Sequence, residues 1–379
     1  MLQHSMSLSP LPVRAAEVAE TAAQYTGEAD SERRLARPVV DAIRTAGFPG
    51  HFVARDHGGQ GGDFSGFVDA VLAVAQECAA AAWCASLFAS HARLAGYLPE
   101  RGRQEVWSSG ADAIICAGVV PSGTAEAVEG GWVLEGRWKF VSGIDFADWV
   151  LLFARDPGQA RSALRVFAVP AADVQVDDTW FTVGMRGTGS RTAVLEKVFV
   201  PAHRTFLQTA LLEGTAQEPA AHCHRVPFRL VNGLTMATPA VGAASGALSA
   251  WSRRMVDRTE VVMGRAVRVR EKAGARFAVT RSSAEVDAAA LLLRRIAATA
   301  DSSGPWTTDL VVRSHRDHAV AADFARSAVD RLQRCTGAGG QEESSTVQRY
   351  WRDVNAATSH AALQFETAAG VYAGHVLGA

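Results

Sequence analysis

The feature that most constrains this chain is a double change of hydrophobic period along its 379 residues. From Val13 to about Gly110 the pattern is helical, and Phe67–Ser90 (FVDAVLAVAQECAAAAWCASLFAS) is an alanine-rich run too long for a strand. Between about Asp112 and Pro201 it gives way to short β-branched and aromatic runs: IICAGVV, GWVLEGRWKFV, WVLLFA, LRVFAVP and AVLEKVFVP. Gly, Asp and Pro signals separate them. After a polar link from Leu212 to His224 the helical period returns and persists, as in Ser282–Ser302 with its recurring apolar face. Thr336–Ser345 (TGAGGQEESS) is a loop, because clustered glycines and small polar residues suit neither regular structure. These changes predict an α+β chain in three parts: an all-α domain over residues 1–111, a compact antiparallel β-domain over 112–211 and a helical bundle over 212–379. A broad bundle of that kind needs partner surfaces to cover its apolar faces, which predicts a homo-oligomer.

Apolar residues make up 48% of the chain, enough for a large core, and 38 Lys and Arg balance 39 Asp and Glu. That balance gives no reason to expect a nucleic-acid partner. The five cysteines are scattered, odd in number and without a CxxC pair, which points to a reducing cytoplasm. The opening MLQHSMSLSPLPVRAAEV lacks an apolar signal core, and no later run reaches the roughly 18 apolar residues of a membrane span. A soluble protein is expected, with Met6 a candidate biological start. His222-Cys223-His224 are consecutive and lack further ligands nearby, so no metal site is expected. No GxGxxG opens a βα unit, so a nicotinamide site within this chain is not expected either.

Four segments resemble the acyl-CoA dehydrogenase superfamily, and together they cover almost the full length. Gly136–Gly143 (GRWKFVSG) is similar to the family segment in which an aromatic residue and a hydroxyl two positions on meet the flavin ring; strand alternation would put Phe140 and Ser142 on one side. Gly184–Pro201 (GMRGTGSRTAVLEKVFVP) looks like the family's glycine-bearing turn into the last strand of the β-domain, with Ser190 as an added donor. In a helix pair expected from Thr259 to Arg295, EVDAAALLLRR resembles the family's central C-terminal helix, and the upstream Arg258, Arg265 and Arg276 are candidates for flavin phosphate, across a subunit boundary as the family implies. Gly339-Gly340 resemble a loop that touches flavin, and Arg352-Asp353 match the family's RD signature; beyond Gly340 the chain departs from the family pattern, reading QEES. The resemblance implies the acyl-CoA dehydrogenase-like fold with a C-terminal four-helix bundle, assembled as a homotetramer.

A dehydrogenase of this family needs a carboxylate base over the flavin, and in many members a Glu stands nine residues after the RD arginine. Here that position is Ala361, beside His360. Glu260 or Glu285 would have to serve if the chain were an acyl-CoA dehydrogenase. RDVNAATSH instead resembles the oxygenase components of two-component flavin monooxygenases, in which a histidine at the place of His360 lies near flavin and substrate. A second histidine, His91 in SLFASHARLAGYLPE, matches a position lining the same pocket. GVVPSGTAEAV at Gly118–Val128 resembles the segment crossing the flavin pyrimidine, without the acidic-proline signature of dehydrogenases.

The resemblance therefore implies a hydroxylase using reduced flavin (FMNH2 or FADH2) and O2 through a C4a-hydroperoxyflavin. Its electrons would come from a separate NAD(P)H:flavin reductase, and its substrate would be an aromatic or polycyclic small molecule of secondary metabolism. Ser142 is the candidate to bond flavin N5 or the peroxide, and His91 and His360 are the candidate acid and base. Alternatives are N-hydroxylation of an amino sugar on the same fold, or a flavin-free binding protein.

Overall fold

The computed structural model describes residues 10–155, 163–218 and 220–378; Met6 lies outside them. Five helices come first: α1 (Leu11–Glu32), α2 (Arg37–Ala46), α3 (Phe64–Glu77), α4 (Ala79–Ala95) and α5 (Glu100–Val106). α2 stops at Gly47, whose φ of 84° lets its N–H reach back to Arg44 O and Ile43 O. α3 starts where Asp63 accepts from Gly66 N at 2.6 Å.

Seven strands follow: β1 (Ile115–Val128), β2 (Gly131–Val141), β3 (Trp149–Arg155), β4 (Leu164–Pro170), β5 (Gln175–Asp177), β6 (Arg191–Pro201) and β7 (Thr205–Leu207). They form one sheet in the order β5-β6-β2-β1-β3-β4-β7. The expectation of an antiparallel β-domain is corrected here, because β1 and β3 pair in parallel and the sheet is mixed. β1 runs between β2 and β3, which are antiparallel to each other, so the short link from β2 to β3 only passes the start of β1 and no long crossover is needed. Trp138 of β2 is fully buried, with its Nε1 donating to Phe153 O at 2.8 Å. It fits because a Cβ at Gly123 would come within 2.1 Å of its ring.

Helices then resume as α6 (Gln208–Glu213), α7 (His222–Arg225) and α8 (Phe228–Val256). A hairpin of β8 (Thr259–Val262) and β9 (Arg265–Arg268) precedes α9 (Ala273–Asp301), α10 (Thr308–Arg334), α11 (Thr346–Thr358) and α12 (Phe365–Leu377). α8 is buried along most of its length and packs on α3, α4, α9, α10 and α11. At Gly242 a Cβ would lie 2.5 Å from Ala75 Cβ and 2.7 Å from Leu72 O, so α3 and α8 touch backbone to backbone. Asp301, at the end of α9, accepts from Phe64 N at 2.7 Å and Ser65 N at 2.9 Å, a carboxylate on the donor end of α3. One contiguous apolar core thus runs through both helical sets and the sheet. All five cysteines are free; Cys78, Cys84, Cys116 and Cys223 are buried and Cys335 is half-buried.

Candidate active site

Where α3, α4 and α8 meet the sheet lies a cavity of about 510 Å³, within the usual range for a small-molecule site. Its wall gathers His91, Phe140, Ser142, Ser190 and His360, which lie up to 269 positions apart in the chain (360 − 91). α4 presents Trp83, Leu87, Ser90 and Leu94 along one face, the spacing of a single helical stripe. No Asp or Glu lines the cavity among the described residues.

His91 is 6% exposed, and its Nδ1 lies 3.2 Å from Ile115 O. Burial lowers its pKa to about 4, so the ring is neutral near pH 7. A carbonyl only accepts, so the single proton sits on Nδ1, and Nε2 carries a bare lone pair. His360 is arranged the other way round. It caps the turn at Ala361–Leu363, its Nδ1 accepting from Ala362 N at 3.2 Å. Burial lowers its pKa too, and since a backbone N–H only donates, its proton sits on Nε2. One histidine thus offers an acceptor and the other a donor.

Ser142 heads a chain of hydroxyls. Trp83 Nε1 donates to its Oγ at 3.2 Å, and the indole of Trp83 lies 6.3 Å from the His360 ring. Ser142 Oγ is 2.7 Å from Ser190 Oγ, which is 2.6 Å from Thr188 Oγ1, which donates to Met185 O at 2.8 Å. An indole N–H at one end can only donate and a carbonyl at the other can only accept, so the direction of every link is fixed. Ser142 gives its proton to Ser190 and presents a free lone pair.

Phe140 and Ser142 reach the same cavity, but not by strand alternation. Phe140 has φ of 66°, and the β2–β6 register shifts between Trp138 and Val141. The strand is broken by a bulge that leaves Phe140 64% exposed beside Trp180, at 6.3 Å between ring centroids, while Ser142 is buried beyond the strand end. A non-glycine residue held at positive φ in a cavity wall is the kind of strain that functional sites retain.

The RD pair acts as a clamp on this wall. Arg352 pairs with Asp30 of α1 at 3.0 Å and donates to Val183 O at 2.5 Å. Asp353 accepts from Met185 N at 2.6 Å, and burial pushes its carboxyl up to about 6. Together they hold the turn that carries Met185, Thr188 and Ser190.

The remaining expected residues lie outside the cavity. Arg258 pairs with Glu260 at 3.2 Å and donates to Thr336 O; Arg276 is exposed and donates to Arg270 O at 3.1 Å; Arg265 is exposed on β9. Gly339 O accepts from Arg254 at 3.0 Å and Gly340 O from Gln333 at 2.8 Å. Glu260 is held by Arg258 and Lys272, and Glu285 by Arg281 and Arg331, both away from the cavity. His222 Nε2 lies 3.0 Å from Ala300 O. Sequence reasoning missed Trp83, Thr188 and Arg93. Trp83 had a visible signal, since it begins the stripe that continues through Leu87, Ser90 and Leu94.

The wall suits a flat, polycyclic, redox-active ring such as flavin. Phe140, Trp83 and Trp180 supply aromatic faces, and the Ser142–Ser190–Thr188 hydroxyls supply polar contacts beside them.

Residues 234–365 match the family model described as acyl-CoA dehydrogenase, C-terminal domain. The chain is 32% identical, over 96% of its length and 93% of the relative's, to the FADH2-dependent resorcinol hydroxylase, oxygenase component, of a Rhizobium species. It is 29% identical to the flavin-dependent monooxygenase oxygenase subunit HsaA of Rhodococcus jostii, over 91% and 92% of the two chains. Among solved structures it superposes on 3-HSA hydroxylase from a Rhodococcus species with TM-score 0.90 at 27% identity, covering 98% and 97% of the chains. XiaF from a Streptomyces species, in complex with FADH2 and glycerol, gives TM-score 0.89 at 27% identity, covering 97% and 95%.

Proposed function

The chain belongs to the oxygenase components of flavin-dependent monooxygenases built on the acyl-CoA dehydrogenase fold, and from that premise we propose that it hydroxylates a phenolic or polycyclic aromatic small molecule with reduced flavin and O2. The net reaction balances as aromatic C–H plus O2 plus reduced flavin giving aromatic C–OH, water and oxidised flavin. Reduced flavin, when bound, supplies the two electrons and activates dioxygen.

Every other task falls to side chains of the cavity. Nε2 of His91 accepts a hydrogen bond from the substrate hydroxyl, which orients it and polarises its O–H bond so that the ring is more electron-rich. Nε2–H of His360 would donate a hydrogen bond to the oxygen that leaves as water. Ser142 offers its lone pair to an N–H donor on the flavin, and the aromatic walls exclude water. The observation that carries this reading is the pair of neutral histidines, one acceptor and one donor, on a cavity that no carboxylate lines among the described residues, so a dehydrogenase base has no counterpart among them.

The reading extends to FADH2 or FMNH2 delivered by a separate NAD(P)H:flavin reductase, a place in secondary metabolism, a cytoplasmic location and a homotetramer. Among the described residues no helix is long and apolar enough to cross a membrane. Exposed Met263, Phe277 and Leu291 on the β8–β9 hairpin and α9 support assembly through that face. The division into domains at 1–111, 112–211 and 212–379 belongs to the same proposal.

The test supplies the protein with a reductase, NADH and each flavin in turn, together with a panel of phenols under isotopically labelled dioxygen. Product carrying one labelled oxygen atom, and requiring reductase, establishes the hydroxylase. Oxidation of an acyl thioester without dioxygen would return the chain to dehydrogenase chemistry.

A further inference from the structure

Arg93 is 3% exposed, yet it lines the cavity. Its Nε donates to Cys223 O at 2.8 Å and its Nη2 to Val226 O, and its guanidinium carbon lies 5.6 Å from the centre of the Phe64 ring. Nη1, with two N–H groups, has no partner among the described residues, and no carboxylate pairs with the side chain. The other lining side chains include one further fixed cation, exposed Lys139, and the neutral polar groups of Gln208, Asn232 and Thr235.

A buried cation is costly unless an anion or a full set of acceptors compensates it. Two carbonyls and an aromatic face satisfy part of Arg93. They tie α4 to the segment before α8, which a neutral amide could also do. What that tie leaves unexplained is the charge and the unengaged Nη1 end of the guanidinium on a residue that lines the cavity. Its geometry suits two oxygens in one plane.

Position on α4 adds a direction. At about 100° per residue, His91 and Arg93 lie on opposite margins of the face running through Trp83, Leu87, Ser90 and Leu94. The flavin-facing candidates Phe140, Ser142 and Ser190 come from the sheet side. Arg93 is instead held by Phe64 at the start of α3 and by Cys223 and Val226, in and just after α7.

We propose that Arg93 determines specificity by binding an acidic group, a carboxylate or its equivalent, on the aromatic substrate, with the ring hydroxyl directed to His91 across the width of α4. The inference rests on the hydroxylase reading for the identity of the ligand, not for the anion preference itself. Neutral phenols then lack half of the recognition. Cationic aromatics are rejected, since no lining group among the described residues offers them a negative charge.

The test is calorimetric titration of the full chain, with and without anaerobically reduced FAD. The ligands are para-hydroxybenzoate, para-hydroxyphenylacetate and para-hydroxyphenylpropionate, each beside its own carboxamide. The wild-type protein should bind at least one acid about tenfold or more tighter than its amide, the size of a charge-assisted hydrogen bond. Arg93→Met should bring that pair to within about twofold, and Arg93→Lys should restore part of the preference. The wild-type comparison stands even if a variant fails to fold. Absence of any acid preference across the pairs, or a preference that survives Arg93→Met, overturns the proposal. The two readings separate cleanly. Oxygen-dependent hydroxylation of the amides with no acid preference keeps the hydroxylase and removes Arg93's role, whereas acid preference without oxygen-dependent product does the reverse.

Discussion

His91 and His360 differ less in their surroundings than in which ring nitrogen the fold engages, and that single difference assigns their tasks. Replacing His360 by Ala removes the proposed hydrogen-bond donor and a turn cap whose loss costs about 1 kcal/mol. Hydroxylated product per dioxygen consumed should fall by about 10²-fold or more, with released hydrogen peroxide rising to match and the unfolding transition almost unmoved. Unchanged coupling between product and dioxygen would remove His360 from the chemistry. Both histidines, Phe140, Ser142 and Ser190 were legible in the sequence, because each stands in a segment whose residue types and spacing carry a resemblance. Their hydrogen-bonding states were not. The tautomer of His91 depends on a carbonyl 24 positions away, and the polarity of the Ser142 chain on an indole 59 positions away. Arg93 escaped because a lone arginine on a helix is ordinarily solvated, and only tertiary burial sets it apart.

Between elements, the tightest joints are also the most informative. The RD signature was readable as a motif, but its part in holding the turn at Met185–Ser190 emerges only from the packing of α11 against it. Asp353→Ala strands the Met185 N–H in a buried site, and a loss of about 1–3 kcal/mol is expected in denaturant unfolding. Ligand binding at the Ser190 side should weaken with it. The contact of α3 with α8 is similarly unforgiving. Gly242→Ala forces a methyl into space already held by Ala75 and Leu72, and overpacking of that kind costs about 1–3 kcal/mol, read as a lower denaturation midpoint at unchanged slope. Most helix and strand content follows from periodicity, but the β8–β9 hairpin over residues 259–268 lies where the sequence predicts a persisting helical period, because its short, exposed strands bury no apolar face among the described residues that would mark them. The parallel β1–β3 pair did not, since period-2 alternation looks the same in either orientation and only the route of the connecting link decides it.

For the molecule as a whole, one core shared by both helical sets and the sheet makes acid tolerance a collective property. Burial lowers His91 to about 4 and His224 and His318 to about 3. In the folded state they stay neutral as pH falls below the usual histidine value of about 6.5, while the unfolded chain takes up their protons. Their stabilising contribution is therefore complete above about pH 6.5 and is lost as pH falls toward 4. Asp353, raised to about 6, binds a proton in the fold first and offsets one of the three. His51, His57, His315 and His360 are depressed by burial in the same direction, so the histidines outnumber Asp353 and stability falls as pH drops below about 6. Urea midpoints measured at pH 7 and pH 5 check it; equal midpoints would mean that these rings are not held neutral.

The buried cysteines bear on durability. An enzyme that handles dioxygen with reduced flavin works beside its own source of peroxide, and peroxide attacks thiolates far faster than thiols. Cys78 and Cys223 are pushed up to about 11 by burial, and Cys84 and Cys116 are raised as well. Four of the five sulfurs are thereby chemically silenced by the same close packing that forms the core, leaving half-buried Cys335 as the point of wear. Mass spectrometry after prolonged uncoupled turnover should find oxidation there first, and a catalyst that ages from one removable atom is one whose working life a Cys335→Ser substitution would lengthen.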